Sequence, residues 1–119
     1  MNAPWAPRAV PQRSPRYQTD LPLILTFLGA QKMETLAARC SNISEGGMRL
    51  VTGSDATLPA GEVLTLEFSI PEITESIKLR GVIRHGSGFG YGVEFINLGA
   101  NERYHITTFC RRLAKGVKL

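Results

Sequence analysis

The chain lacks what several protein classes require. It holds two cysteines, Cys40 and Cys110. That is too few for a disulfide framework, and they do not have metal-ligand spacing. Both fall at positions expected to face a core, so buried free thiols are predicted. No apolar run approaches the roughly 20 residues of a membrane helix. The opening stretch MNAPWAPRAVPQRSPR has no apolar core of a signal peptide. A cytoplasmic chain with no membrane span is the expectation. Aromatic residues make up 8% of the sequence, and Trp5, Tyr17 and Tyr91, the candidates for base stacking, are scattered. Single-stranded nucleic acid asks for aromatic platforms interleaved with cations, so nucleic acid is not the expected partner.

Catalytic constellations are missing too. His85 and His105 stand far apart and lack an obvious acidic neighbour. Ser44 lies in Asn42-Ile43-Ser44-Glu45-Gly46-Gly47, which is not the strand–elbow–helix setting of a serine nucleophile. Paired carboxylates on one face are absent from the pattern. Gly86, Gly88, Gly90 and Gly92 alternate along the chain, but no Lys-Ser or Lys-Thr follows and a strand pattern comes next. A phosphate loop needs helix amides at its exit, so a glycine-rich hairpin is predicted instead. The sequence predicts a binding module, not an enzyme, with no cofactor and no metal.

What is present is organised. The chain of 119 residues carries a net charge of +4, and its size fits one domain. Residues 1–20 hold Arg8, Arg13 and Arg16 against Asp20. Residues 100–119 hold Arg103, Arg111, Arg112, Lys115 and Lys118 against Glu102. The middle, 21–99, has six basic and eight acidic residues. The basic character therefore sits at the two ends, where an anionic partner would meet it. Residues 1–20 also carry Pro4, Pro7, Pro11 and Pro15. Proline removes amide donors and favours extended backbone, so this segment is predicted to be a flexible arm.

From Leu21 the pattern has period two. Leu21, Leu23, Leu25 and Phe27 share one face, as do Leu36, Ala38 and Cys40. Met48 and Leu50 open a third run, and Leu64, Leu66, Phe68 and Ile70 form a fourth. Ile77, Leu79 and Ile83 alternate with Lys78, Arg80 and Arg84, and Val93 and Phe95 mark a sixth. Turn signals at Gly29–Lys32, Ser44–Gly47, Gly53–Gly61, Pro71–Glu75 and Gly86–Gly90 separate these runs. Six short half-buried strands predict a closed barrel or sandwich. Ile106, Phe109, Cys110 and Leu113 stand at i, i+3, i+4 and i+7, which predicts one C-terminal helix against the barrel. Gly99 and Asn101 are both candidate caps. The expected domain spans 21–115, behind the arm of residues 1–20.

Two segments carry candidate binding chemistry. Arg13 and Arg16, in Gln12-Arg13-Ser14-Pro15-Arg16, offer planar donor forks to phosphate or to guanine edges. Asn42 and Ser44 can bond nearby backbone or a ligand edge. Gly46 and Gly47 permit positive φ and a close approach of ligand to main chain. Arg49, opposite in direction to Met48 and Leu50, is a further candidate. Read on their own, these segments fit either a cradle for an anionic nucleotide or a basic tail beside an ordinary turn.

Together the segments resemble the PilZ domain family from about Arg13 to Leu113. That family carries R-x-x-x-R and then [D/N]-x-S-x-x-G. Asn42, Ser44 and Gly47 match the second motif, and Arg16 matches the second arginine of the first. Gln12 stands where the first arginine would be, with Arg13 one residue later. Arg80-Gly81-Val82-Ile83-Arg84 and Gly90–Leu98 resemble the last two strands. The resemblance implies a six-stranded antiparallel Greek-key-like β-barrel with one C-terminal α-helix and an extended basic N-terminal arm. It implies a cyclic di-GMP receptor holding its ligand on the outer surface through Arg13, Arg16, Asn42, Ser44 and Gly47, with Gln12, Gly46 and Arg49 as further candidates. Such a receptor would relay messenger level to a protein target that the sequence does not identify. The alternative is an adaptor that binds no nucleotide and acts through protein–protein contact.

Overall fold

A computed structural model of the chain describes residues 15–29, 31–53, 58–71, 76–87 and 90–116. Six strands follow one another: β1 (Tyr17–Leu28), β2 (Met33–Ile43), β3 (Gly47–Thr52), β4 (Val63–Ser69), β5 (Ser76–Ser87) and β6 (Gly90–Ile96). One helix, α1 (Ala100–Ala114), closes the sequence of elements. The strands pair antiparallel in the order β1-β2-β3-β6-β5-β4, and β4 returns to β1, so the sheet is a closed barrel. Closure leaves no unpaired strand edge among these elements.

The alternation of the sequence becomes the inside and outside of this barrel. Leu25, Leu50, Leu66 and Ile83 are buried to 1% exposure or less, and each contributes about 1.5–3 kcal/mol by leaving water. Their strand neighbours Ile24, Val51 and Glu67 face outward and are exposed. Gly81 takes the inward place between Leu79 and Ile83. A methyl group there would run into the Val93 side chain, so glycine is what lets β6 pack closely. Strand β1 opens at Tyr17, four residues before the apolar alternation becomes legible. Tyr17 pairs with Ile43 and packs against the core, whereas Gln18 and Asp20 face water.

The two ends of the barrel are covered differently. The start of β1, the end of β2, the start of β3 and the end of β6 lie at one end, as the register requires. The chain leaves β6 there through Asn97, at φ 53, a left-handed conformation that Asn tolerates. It then enters α1, which drops Ile106, Phe109 and Cys110 into the core. Gly99 is the N-cap and makes no side-chain cap bond. At the other end the connection from β3 to β4 buries Leu58, whose amide donates to the Tyr91 hydroxyl at 3.4 Å. Gly61, at φ 91, makes the turn into β4. Among the described residues, no helix is long and apolar enough to cross a membrane.

Both cysteines are free and buried. Loss of solvent pushes the Cys40 thiol up to about 12 and the Cys110 thiol up to about 11. The Cys40 thiol also donates to the Asn42 carbonyl at 3.2 Å.

Candidate functional site

Three strands depart from strict alternation, and all three do so at the same place. Strand β1 slips register between Gln18 and Leu21 against β2. Strand β2 slips between Cys40 and Asn42 against β3. Strand β5 slips between Ile83 and His85 against β6. Each slip inserts one extra residue, and a bulge of this kind re-aims the side chains that follow it. Without its bulge, Asn42 would share the inward parity of Cys40. With it, Ile43 turns inward with no exposure and Asn42 turns out. His85 would likewise share the parity of Ile83; instead both Arg84 and His85 are exposed.

The bulges align one row across the outer face of the barrel. Gln18 pairs with Asn42, Asn42 with Arg49, Arg49 with Gly92 and Gly92 with His85. The glycines floor this row. A Cβ at Gly92 would strike the His85 imidazole, and one at Gly90 would strike the Arg49 guanidinium. Those two side chains therefore lie flat against main chain that bulkier residues would cover.

Arg16 joins the row from the chain before β1. Its Nη1 donates to Asn42 Oδ1 at 2.8 Å, across 26 residues of sequence. A guanidinium has five N–H donors. Among the described residues one is used here, on an exposed side chain, which leaves donors to offer an anion. Next along the face, Arg39 Nε donates to Asp20 Oδ1 at 2.6 Å in an exposed ion pair. That bond holds the Asp20 carboxyl below the usual aspartate range. Beyond the far end of the row, Arg84 pairs with Glu94 at 2.6 Å. These two pairs are self-compensated, whereas Arg16 and Arg49 have no ion pair among the described residues.

The turn between β2 and β3 is built inward. Ser44 is 5% exposed. Its hydroxyl donates to the Gly47 carbonyl at 3.3 Å and accepts from the Gly46 amide at 3.3 Å. The Ser44 amide also donates to the Gly47 carbonyl at 2.8 Å, and the Phe95 amide donates to the Gly46 carbonyl at 2.9 Å. Gly46 and Gly47 do not use the positive φ that glycine permits; among the described residues Gly61 and Gly116 are the glycines that do. Gly47 is needed for another reason. A side chain there would collide with the Val93 carbonyl, so the close approach it permits is to β6. Gly46 has open space where a side chain would be.

Of the residues singled out in the sequence, Arg16, Asn42 and Arg49 thus come together on the outer face. Ser44 and Gly47 lie beneath them as the turn's framework, and Gly46 edges the face. Gln12 and Arg13 lie outside the described residues. In the sequence His85 is a candidate only for catalysis, and Gln18 belongs to the arm. The register places both in the row, and the glycine at every second position of β6 was the signal available for it. Tyr17 and Tyr91, weighed as stacking platforms, both pack with the core.

Comparison with known proteins agrees with this fold. The family model for the PilZ domain matches residues 11–112. No curated protein matches the chain. Among solved structures, the inhibitor of motility MotI/DgrA of Bacillus subtilis superposes with a TM-score of 0.72 at 19% identity, over 89% of this chain and 52% of that one. The chain thus spans about half the length of that inhibitor. The PilZ domain of YcgR from Escherichia coli, solved with c-di-GMP, gives 0.71 at 15% identity, over 88% of this chain and 92% of that one. The PilZ domain of CeSA from a cellulose-synthesising bacterium gives 0.65 at 14% identity, over 87% and 98%.

Proposed function

The chain belongs to the PilZ domain family, and from that membership we propose that it is a cytoplasmic receptor for cyclic di-GMP that passes the messenger level to a partner protein. PilZ domains are regulatory binding domains, and the reading is accordingly non-enzymatic. The observation that carries it is the bond from Arg16 to Asn42. It brings Arg16 of the arginine motif and Asn42 of the Asn-x-Ser-x-x-Gly motif onto one outer face, beside Arg49. The ligand has two phosphates and two guanines. Arg16 and Arg49 offer planar forks to either group, Asn42 offers an amide, and Gly46 leaves room for close approach. Ser44 and Gly47 hold the turn that carries Asn42. On this reading Arg13 supplies the cationic contact that Gln12 cannot. The PilZ domain of YcgR, solved with c-di-GMP, lends support through its shared fold.

Calorimetric titration of the intact chain with cyclic di-GMP at low salt tests this. Binding heat is expected. A charge-assisted hydrogen bond contributes about 1.5–3 kcal/mol, so Arg16→Ala should weaken binding by roughly 10- to 150-fold. Arg13→Ala should do nearly as much, and Gln12→Arg should tighten binding. A silent wild type with a binding Gln12→Arg variant would favour the adaptor reading, in which the domain acts on its partner without nucleotide. Silence in both would remove the proposed site.

A further inference from the structure

Helix α1 has a second face that neither the core nor the nucleotide site uses. Between this helix and the end of β4 lies a slot of about 160 Å³, walled by Ile70, Pro71, Tyr104, His105, Thr108, Phe109 and Arg112, mostly through their apolar parts. Tyr104 is 65% exposed, and its ring meets His105 edge-on. Small-molecule sites usually occupy about 300–1,000 Å³. This slot is well below that range and matches a single large apolar side chain.

Cations line the helix beside it. Arg103, Arg111 and Lys115 are exposed, and with Thr107 they form one row at intervals of four residues. At 1.5 Å per residue the row is about 18 Å long. Glu102 is the one acidic residue in α1. No ion pair among the described residues engages Arg103, Arg111 or Lys115. The surface is therefore a line of uncompensated positive charge with an apolar notch at its side.

We propose that this face docks an acidic protein segment, with one apolar side chain of the partner seated in the slot and its carboxylates along Arg103, Arg111 and Lys115. Charge complementarity names the partner's sign, and the notch separates a peptide from a nucleic acid. A strand of nucleic acid would need successive stacking rings, whereas Tyr104 is the single exposed ring on this helix and lies edge-on to its neighbour. This docking does not depend on cyclic di-GMP and stands apart from the nucleotide reading.

Panning the intact chain against a display library of random 12-residue peptides tests it. The expected winners carry several Asp or Glu residues around one Leu, Phe or Trp. Their binding should fall about tenfold or more against the Arg103→Glu, Arg111→Glu double variant and about fivefold against Tyr104→Ala. All three changes are at exposed positions, and circular dichroism should show the fold unchanged. Failure to enrich any sequence, winners without acids, or equal binding to the double variant would overturn the proposal. So would a 12-nucleotide single strand that binds this face more tightly than the selected peptides.

Discussion

The turn from Asn42 to Gly47 divides into two halves with different work. Its inner half, Ser44 and Gly47, is spent on the fold: the hydroxyl closes the turn and the bare Cα lets β3 meet Val93. Its outer half, Asn42 with Arg16 and Arg49, is held by one exposed hydrogen bond and by strand register. On the proposed function, a motif that reads as one binding signature is half framework and half recognition surface. Changes to the first should appear as lost stability, and changes to the second as lost ligand affinity at unchanged stability.

The largest effect expected of the framework side lies in the barrel wall. Phe68 is 3% exposed and faces inward, while its neighbour Glu67 faces out. Phe68→Ala should cost about 3–5 kcal/mol in chemical denaturation, and Glu67→Ala should stay within about 0.5 kcal/mol. Equal losses would break the division of faces on which everything else rests. Gly47→Ala comes next. Its methyl group would have to displace the Val93 carbonyl, at a cost of about 1–3 kcal/mol, whereas Gly46→Ala enters open space and should cost less.

Ser44→Ala sharpens the comparison within the turn. It removes two hydrogen bonds at 3.3 Å, which should cost about 1 kcal/mol of stability, with a smaller loss of cyclic di-GMP affinity than Arg16→Ala. Arg16→Ala should show the reverse profile, its melting temperature unchanged while calorimetry reports weaker binding. If Ser44→Ala abolished binding at full stability, the inner half would belong to the recognition surface as well.

The smallest effect near neutral pH concerns the thiols. Burial raises both well above the ordinary cysteine value of 9.0. A raised folded-state value means that the native state keeps protons the unfolded chain releases. Their contribution to stability is therefore full below about pH 9 and is lost as pH climbs toward 11 and 12. Denaturation midpoints should fall across that window, and the Cys40→Ala, Cys110→Ala double variant should show a shallower fall. Native thiol labelling at pH 7.5 should be slow at both sites; rapid labelling of both would show that α1 does not cover the barrel end.

Much of the barrel was legible because its signal is local and repeated. The inward residues alternate without error through β4 and, away from the bulges, through Leu21, Leu23 and Leu25 of β1 and Ile77 and Leu79 of β5, and the stripe Ile106, Phe109, Cys110 and Leu113 marks the helix. Leu58 was not legible, because one apolar residue in a turn-rich stretch has no period to reveal it. Nor was the early start of β1, where Gln18 and Asp20 look like arm and only pairing with β2 makes them strand. The binding motifs were readable as types and spacings. Their geometry was not, since a bulge leaves no compositional mark.

Which side chains could be inside was readable from the order of residues alone, because burial of apolar groups at period two admits few other arrangements. The same order of residues also supplied the donors of the proposed site, Arg16, Asn42 and Arg49. Only the tertiary structure decided which of those side chains share a surface. Three one-residue slips, each set by the pairing of a strand with the next one in the chain, turned Asn42 and His85 outward and laid Gln18, Asn42, Arg49, Gly92 and His85 in one row. The physical reason is that register belongs to a pair of strands, and no single strand's sequence contains it.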